Sequence, residues 1–156
     1  MTAKFTVLGN QVLTTSASSV TFSSIPGGYK DLVLTCEPYG SAGGTYLQVQ
    51  VNGDTGNNYN QVRMYGDGSG AYSDSISNFS RFYAGYRGTG NLQIFQWMDY
   101  SATDKHKTVL LRHNDTDGFG GAAAYALRWA SNSAITQISF ITSLDAGTKI
   151  RLLGVN

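Results

Sequence analysis

Apolar and polar residues alternate with a period of two along most of this chain. The pattern is clearest in SSVTFSSIPGGYKDLVLTC, residues 18–36. Val20 and Phe22 before its corner, and Leu32, Leu34 and Cys36 after it, hold alternate positions, with Ser19, Thr21, Ser23, Val33 and Thr35 in the gaps. Successive strand side chains point to opposite faces, so this spacing predicts two strands, each with one wet face. Between them Pro26 fixes φ and lacks a donor, and Gly27 and Gly28 admit positive φ, so the chain turns there.

The same rule organises the rest. Residues 5–8 and 11–15 predict two short strands about a Gly9-Asn10 turn. In 45–51, Leu47, Val49 and Val51 oppose Tyr46, Gln48 and Gln50; in 61–65, Val62 and Met64 oppose Arg63 and Tyr65. Residues 66–78 are rich in Gly, Ser and Asp and predict a long loop. In 79–87, Phe82, Ala84 and Tyr86 share one face, and Arg81, Tyr83 and Arg87 the other.

Residues 92–99 are apolar on both faces, with Leu92, Ile94 and Met98 on one and Phe95 and Trp97 on the other. Such a strand is covered on both sides or pressed against a partner. Residues 107–113 alternate again. The run AAAYALRWA, 122–130, has high helix propensity, but Tyr125, Leu127 and Trp129 alternate and Gly120-Gly121 supplies no N-cap, so a strand is expected. Residues 135–142 and 149–155 close the chain as strands. Nine or ten short strands between frequent turns predict an all-β sandwich or barrel, a single domain over residues 1–156. The 18–36 unit favours an antiparallel β-sandwich.

Composition strengthens this reading. Glu37 is the single glutamate and lysines number five, so helix-surface formers are scarce. Nineteen glycines without a triplet period indicate tight turns, and ten tyrosines, seven phenylalanines and two tryptophans are ample to bury. A net charge of +1 leaves no footprint for nucleic-acid binding, so no nucleic-acid partner is expected. No apolar run is long enough to cross a bilayer, and the N-terminus lacks a charged-then-apolar leader, so folding in a cytosol-like compartment, or release by lysis, is expected. Cys36 has no second cysteine to pair with and reads as a small buried hydrophobe.

Candidate chemistry is sparse. His106 lies in a charged turn and His113 at a strand end, and no serine sits in a nucleophile elbow. The aspartates fall mostly in turns, and Glu37 has no evident partner for glycosidase chemistry, so no catalytic residue is expected and the chain does not read as an enzyme. No glycine-rich segment leads into a helix or a phosphate-binding lysine. Oxygen ligands gather at 52–58 (NGDTGNN) and 114–118 (NDTDG), which is what Ca²⁺ asks for, although without EF-hand spacing; turn-making is the first reading of both, Ca²⁺ binding the alternative, and no other cofactor is expected. What remains is a set of arginines and aromatics facing away from the first core: Arg63, Tyr65, Arg81, Tyr83, Arg87, Phe95 and Trp97. Those residue types are enriched in interface hot spots, so these seven are the candidate partner surface.

The segments SSVTFSSIPGGYKDLVLTC and VQVNGDTGNNYNQVRMYGDG, then WASNSAITQISF and the closing GTKIRLLGVN, together resemble small virion proteins of tailed bacteriophages. The resemblance spans nearly the whole chain and rests on strand edges and turns, with Val51 where the pattern usually has an aromatic. It implies a jelly-roll β-sandwich on the particle, without a catalytic residue. The first role it implies is capsid decoration (cement): a homotrimer outside the head, over junctions of the major capsid protein, assembled in the host cytoplasm. In that role Arg63, Arg81 and Arg87 would meet acidic capsid residues while Tyr65, Tyr83, Phe95 and Trp97 fill pockets. The alternatives are a tail-fibre domain whose partner is a host glycan or protein receptor, with Tyr72, Phe79 and Phe119 in its loops, and a carbohydrate-binding module.

Overall fold

The computed structural model describes residues 4–40, 44–114 and 121–156. Among them are twelve strands and no helix. The eight-stranded sheet contains β1 (Phe5–Val12), β12 (Lys149–Val155), β3 (Asp31–Glu37), β8 (Gln93–Met98), β9 (Lys107–Asn114), β10 (Ala122–Trp129), β5 (Tyr59–Gly66) and β6 (Ala71–Phe79), in that order. The four-stranded sheet has the order β2 (Val20–Phe22), β11 (Ile138–Phe140), β4 (Tyr46–Val51) and β7 (Phe82–Tyr86).

Every pairing is antiparallel. The chain passes between sheets from β1 to β2, β2 to β3, β3 to β4, β4 to β5, β6 to β7, β7 to β8, β10 to β11 and β11 to β12. With the β9–β10 hairpin set aside, β2-β11-β4-β7 faces β3-β8-β5-β6, which is the connectivity of a jelly roll. The hairpin widens the large sheet between β8 and β5, and β12 and β1 extend it beyond β3.

Alternation builds the core. Leu32, Leu34 and Cys36 of β3, Val109 and Leu111 of β9, and Tyr125, Leu127 and Trp129 of β10 face inward against Leu47, Val49 and Val51 of β4 and Phe82 and Ala84 of β7. Residues 122–129 are a strand, as their alternation requires, because pairing on both sides with β5 and β9 outweighs the helix propensity of alanine.

Several elements differ from expectation. Residues 5–12 form one strand with a bulge between Val7 and Gly9, not two strands around a turn. Gly9 is needed for approach: a Cβ there would lie 2.5 Å from Phe22 Cδ1. The expected 66–78 loop shrinks to residues 67–70, followed by β6. Asp67 Oδ1 accepts the Ser69 and Gly70 amides at 2.8 and 2.9 Å and Gly68 takes φ 83°, so the Gly-Ser-Asp composition makes one tight hairpin turn.

Two strands present the opposite face to the one expected. In β8, Phe95 and Trp97 point inward, and Leu92, Ile94 and Met98 face out. In β5, Tyr59 and Gln61 are buried, so Arg63 and Tyr65 lie on the inner side and Val62 and Met64 face solvent. The causes differ. Volume decides β8, where the large rings fill the space between sheets. In β5 a hydrogen-bonded glutamine, not the aliphatic pair, occupies the interior.

Candidate interaction surface

The candidate partner residues separate on folding. Phe95 and Trp97 are 0% exposed, stacked at 6.2 Å, with Trp97 on Phe82 and Phe95 on Phe140. They are core residues and cannot touch a partner, which corrects their assignment to the surface. Arg63 and Tyr65 are not on the outer face either. Arg63 donates from Nε to Asp74 Oδ1 at 2.6 Å and from Nη2 to Asp74 Oδ2, a bidentate pair that raises its pKa although partial burial opposes this. Tyr65 stacks on Tyr72 at 5.4 Å.

Arg81 donates to Gln48 Oε1 at 2.8 Å, and Arg87 donates to the Ser143 carbonyl at 2.8 Å. Tyr83 packs edge-on to Tyr46 and Phe79. Tyr46 and Tyr86 stack at 4.2 Å with their hydroxyls 2.9 Å apart. Arg63, Tyr65, Tyr46 and Tyr86 thus converge on a small cleft of about 50 Å³ at one end of the sandwich. Arg87 lies apart from them. These five side chains are half-buried and bonded within the protein.

The 52–58 loop spends its carboxylate internally. Asp54 accepts N–H bonds from Trp129 Nε1 at 2.7 Å, Asn58 Nδ2 at 2.9 Å and the Gly56 amide at 2.8 Å. Burial pushes its pKa up, but these donors outweigh it and hold the carboxyl below its ordinary value. Tyr59 donates to the Asp54 carbonyl at 2.9 Å, and burial pushes its phenol up to about 12. Asn52, at φ 51°, accepts the Thr136 and Gln137 amides at 2.9 and 3.0 Å. The loop is therefore a brace between β4, β10 and the lead into β11. Of the second calcium candidate only Asn114 is among the described residues; it accepts the Leu92 amide at 2.7 Å. Residues 115–118 and Phe119 lie outside them.

Cys36 is buried, and desolvation, with the nearby Glu37 charge, pushes its thiol well above the ordinary range. Among the described residues no three His, Cys, Asp or Glu side chains gather as a metal site.

The surface missed by sequence reasoning is the outer face of the large sheet from β6 to β8. Registers align it in rows. One runs Ser73, Met64, Ala124, Arg112, Ile94; the next runs Ser75, Val62, Ala126, Leu110, Gln96; a third runs Asn60, Arg128, Thr108, Met98. Val62 is 50% exposed, Met64 55% and Leu110 42%. Ala122, Ala124 and Ala126 of β10 form a low floor between taller neighbours, and an open groove of about 800 Å³ lies at its Ala122 end. No acidic side chain stands in these rows, and among the described residues neither Arg112 nor Arg128 has an ion-pair partner. The signal for this face was present: β8 is apolar on both sides, and alanines alternate along β10.

No family model and no curated protein matches the chain. Among solved structures, a crystal structure of scytalido-glutamic peptidase with a transition-state analogue inhibitor is similar at 17% identity and a TM-score of 0.28. That similarity covers 96% of this chain and 66% of the peptidase chain, just under two thirds of its length. A likeness this remote carries no argument about fold or activity.

Proposed function

We propose that this chain is a structural protein of a bacteriophage virion, a decoration (cement) protein that binds the outside of the head over junctions of the major capsid protein. The observation that carries the reading is the uncovered β6-to-β8 face, apolar at Val62, Met64, Leu110 and Ile94 and studded with Arg112 and Arg128. A contiguous exposed apolar patch marks a place where another macromolecule sits. Arginine and methionine are enriched at protein interfaces and lysine and carboxylates depleted, as on this face. The resemblance of residues 18–36 and 49–68 to virion proteins points to a capsid as that partner. A domain that binds only the assembled lattice stabilises it by mass action and needs no catalysis.

A glycan-binding reading, as in a tail fibre, is favoured by the Tyr46, Tyr83 and Tyr86 cluster and by the exposed ring of Tyr72. Immunogold labelling of particles from the producing culture separates the readings. Label over the heads is the expected result, label confined to fibres supports the glycan reading, and unlabelled particles overturn both.

A further inference from the structure

Four strands form the edges of the two sheets: β1 and β6 in the large sheet, β2 and β7 in the small one. An edge strand offers a row of unpaired N–H and C=O groups, and folded proteins usually guard it by shortness, a bulge, a charge, or a cover. Three of the four edges here are guarded. β2 has three residues, and β1 is bulged between Val7 and Gly9. β7 has side-chain amides on its backbone: Gln61 on Tyr83, Gln93 on Gly85 and Tyr86, and Asn91 on Tyr86.

β6 is the least guarded, its one irregularity lying beyond Ile76 and its one charge being paired within the chain. It is nine residues long, AYSDSISNF, with no proline, lysine or arginine. Its ladder with β5 runs unbroken from Ala71 to Ile76, and the irregularity falls only beyond that. Its single charge, Asp74, is already matched by Arg63 on the neighbouring strand. Among the described residues no side chain or loop outside the β5–β6 hairpin donates to or accepts from its backbone.

We infer that β6 is a strand-addition site whose occupant is a second copy of this chain, paired antiparallel about a two-fold axis at Ser73. Backbone pairing selects an extended strand as the partner, and an identical strand supplies both the Tyr72 hydroxyl and the Asp74 carboxylate that complement each other across a two-fold axis. Arg63 neutralises Asp74 on each copy, so two such edges approach without net repulsion. Opposed residues must point to the same face, so the axis passes through a residue. An axis at Asp74 would set carboxylate against carboxylate. At Ser73 it sets Tyr72 of each copy against Asp74 of the other, where the exposed phenol can donate to the carboxylate, and Ala71 against Ser75. All pairs stay within the unbroken part of the ladder. The contact is isologous and consumes both edges, so it produces a dimer whose large sheets join into one, whatever the outer face binds. It therefore stands apart from the capsid reading.

The test is the solution mass of the wild-type chain and of Ser73→Lys and Ser73→Glu, by sedimentation velocity over a concentration series. Ser73 is exposed, so both variants should melt with the wild type. The expected result is a wild-type dimer whose dissociation constant rises about fivefold in each variant, because like charges then oppose across the axis. Mixing the two variants should restore the dimer. Amide exchange in residues 71–76 should slow with protein concentration, at about fivefold higher concentration in each variant than in the wild type. A wild-type monomer at every concentration, a trimer, or a dimer that withstands both Ser73 variants and dissociates with Leu110→Asp overturns the inference.

Discussion

Gln61 donates from Nε2 to the Tyr83 carbonyl at 3.0 Å and accepts the Tyr83 amide N–H at Oε1 at 2.9 Å. One buried side chain on the large sheet thus serves both backbone groups of a residue on the edge of the small sheet. Gln93 repeats the device on the Gly85 amide and the Tyr86 carbonyl. Polar groups buried without partners are costly, so these amides allow β7 to end its sheet inside the sandwich.

Replacing Gln61 by Leu keeps the volume and removes both bonds, leaving the Tyr83 N–H and C=O unpaired. The expected loss is roughly 2–4 kcal/mol, read by urea unfolding. A loss below about 0.5 kcal/mol, the range of neutral surface changes, would mean that water replaces the amide without penalty.

Trp97 and Leu110 should behave in opposite ways. Trp97→Ala empties core volume between Phe82 and Phe95 and should lower stability by about 3–5 kcal/mol. Leu110→Asp alters an exposed position and should leave stability within about 1 kcal/mol of wild type while abolishing retention on purified heads. Full head binding by Leu110→Asp would remove the outer face from the proposed function.

Asp54 makes stability depend on pH on the acid side. Its folded pKa lies below the unfolded value of about 3.9, so its contribution is complete above that pH and declines as pH falls through the folded value. Asp54→Ala should cost about 1–2 kcal/mol at pH 7, since it strands the indole N–H of the buried Trp129. The gap between variant and wild type should close progressively below about pH 4. Chemical denaturation at pH 7, 4 and 2.5 checks the sign. A gap that widens in acid would contradict it.

Gly154 and Tyr29 tie the closing strand to the Pro-Gly-Gly corner. A Cβ on Gly154 would sit 2.5 Å from Tyr29 Cγ, so Gly154→Ala should lose about 1–3 kcal/mol by overpacking. Adding Tyr29→Ala should recover part of that loss, and the non-additivity in a double-mutant cycle measures the contact. Strictly additive losses would place the strain elsewhere.

Strand identity was legible because the period of two survives wherever one face is wet and one is dry, as in Leu32-Leu34-Cys36 and Leu47-Val49-Val51. Residues 122–129 yielded to the same logic despite their alanines. The long 66–78 loop was misread because serines and an aspartate in β6 carry little local preference; only pairing with β5 makes that stretch a strand. The interface candidates failed at Phe95 and Trp97 because a strand apolar on both sides does not say which side meets its own second sheet. β5 misled for a related reason: the interior admits Gln61 once Tyr83 satisfies it, and Val62 and Met64 are left outside.

The amino-acid order by itself therefore determined the all-β class, most strand positions, the corner at 26–28 and the tight turns, since all of these follow from local sterics and side-chain periodicity. Only the tertiary structure decided which face of β5 and β8 is core, that Asp54 braces Trp129, and that β7 is guarded while β6 is the least guarded edge. Those facts depend on which distant segment supplies a ring, an amide or an edge, and pairings across tens of residues leave no trace in the local alternation of side chains.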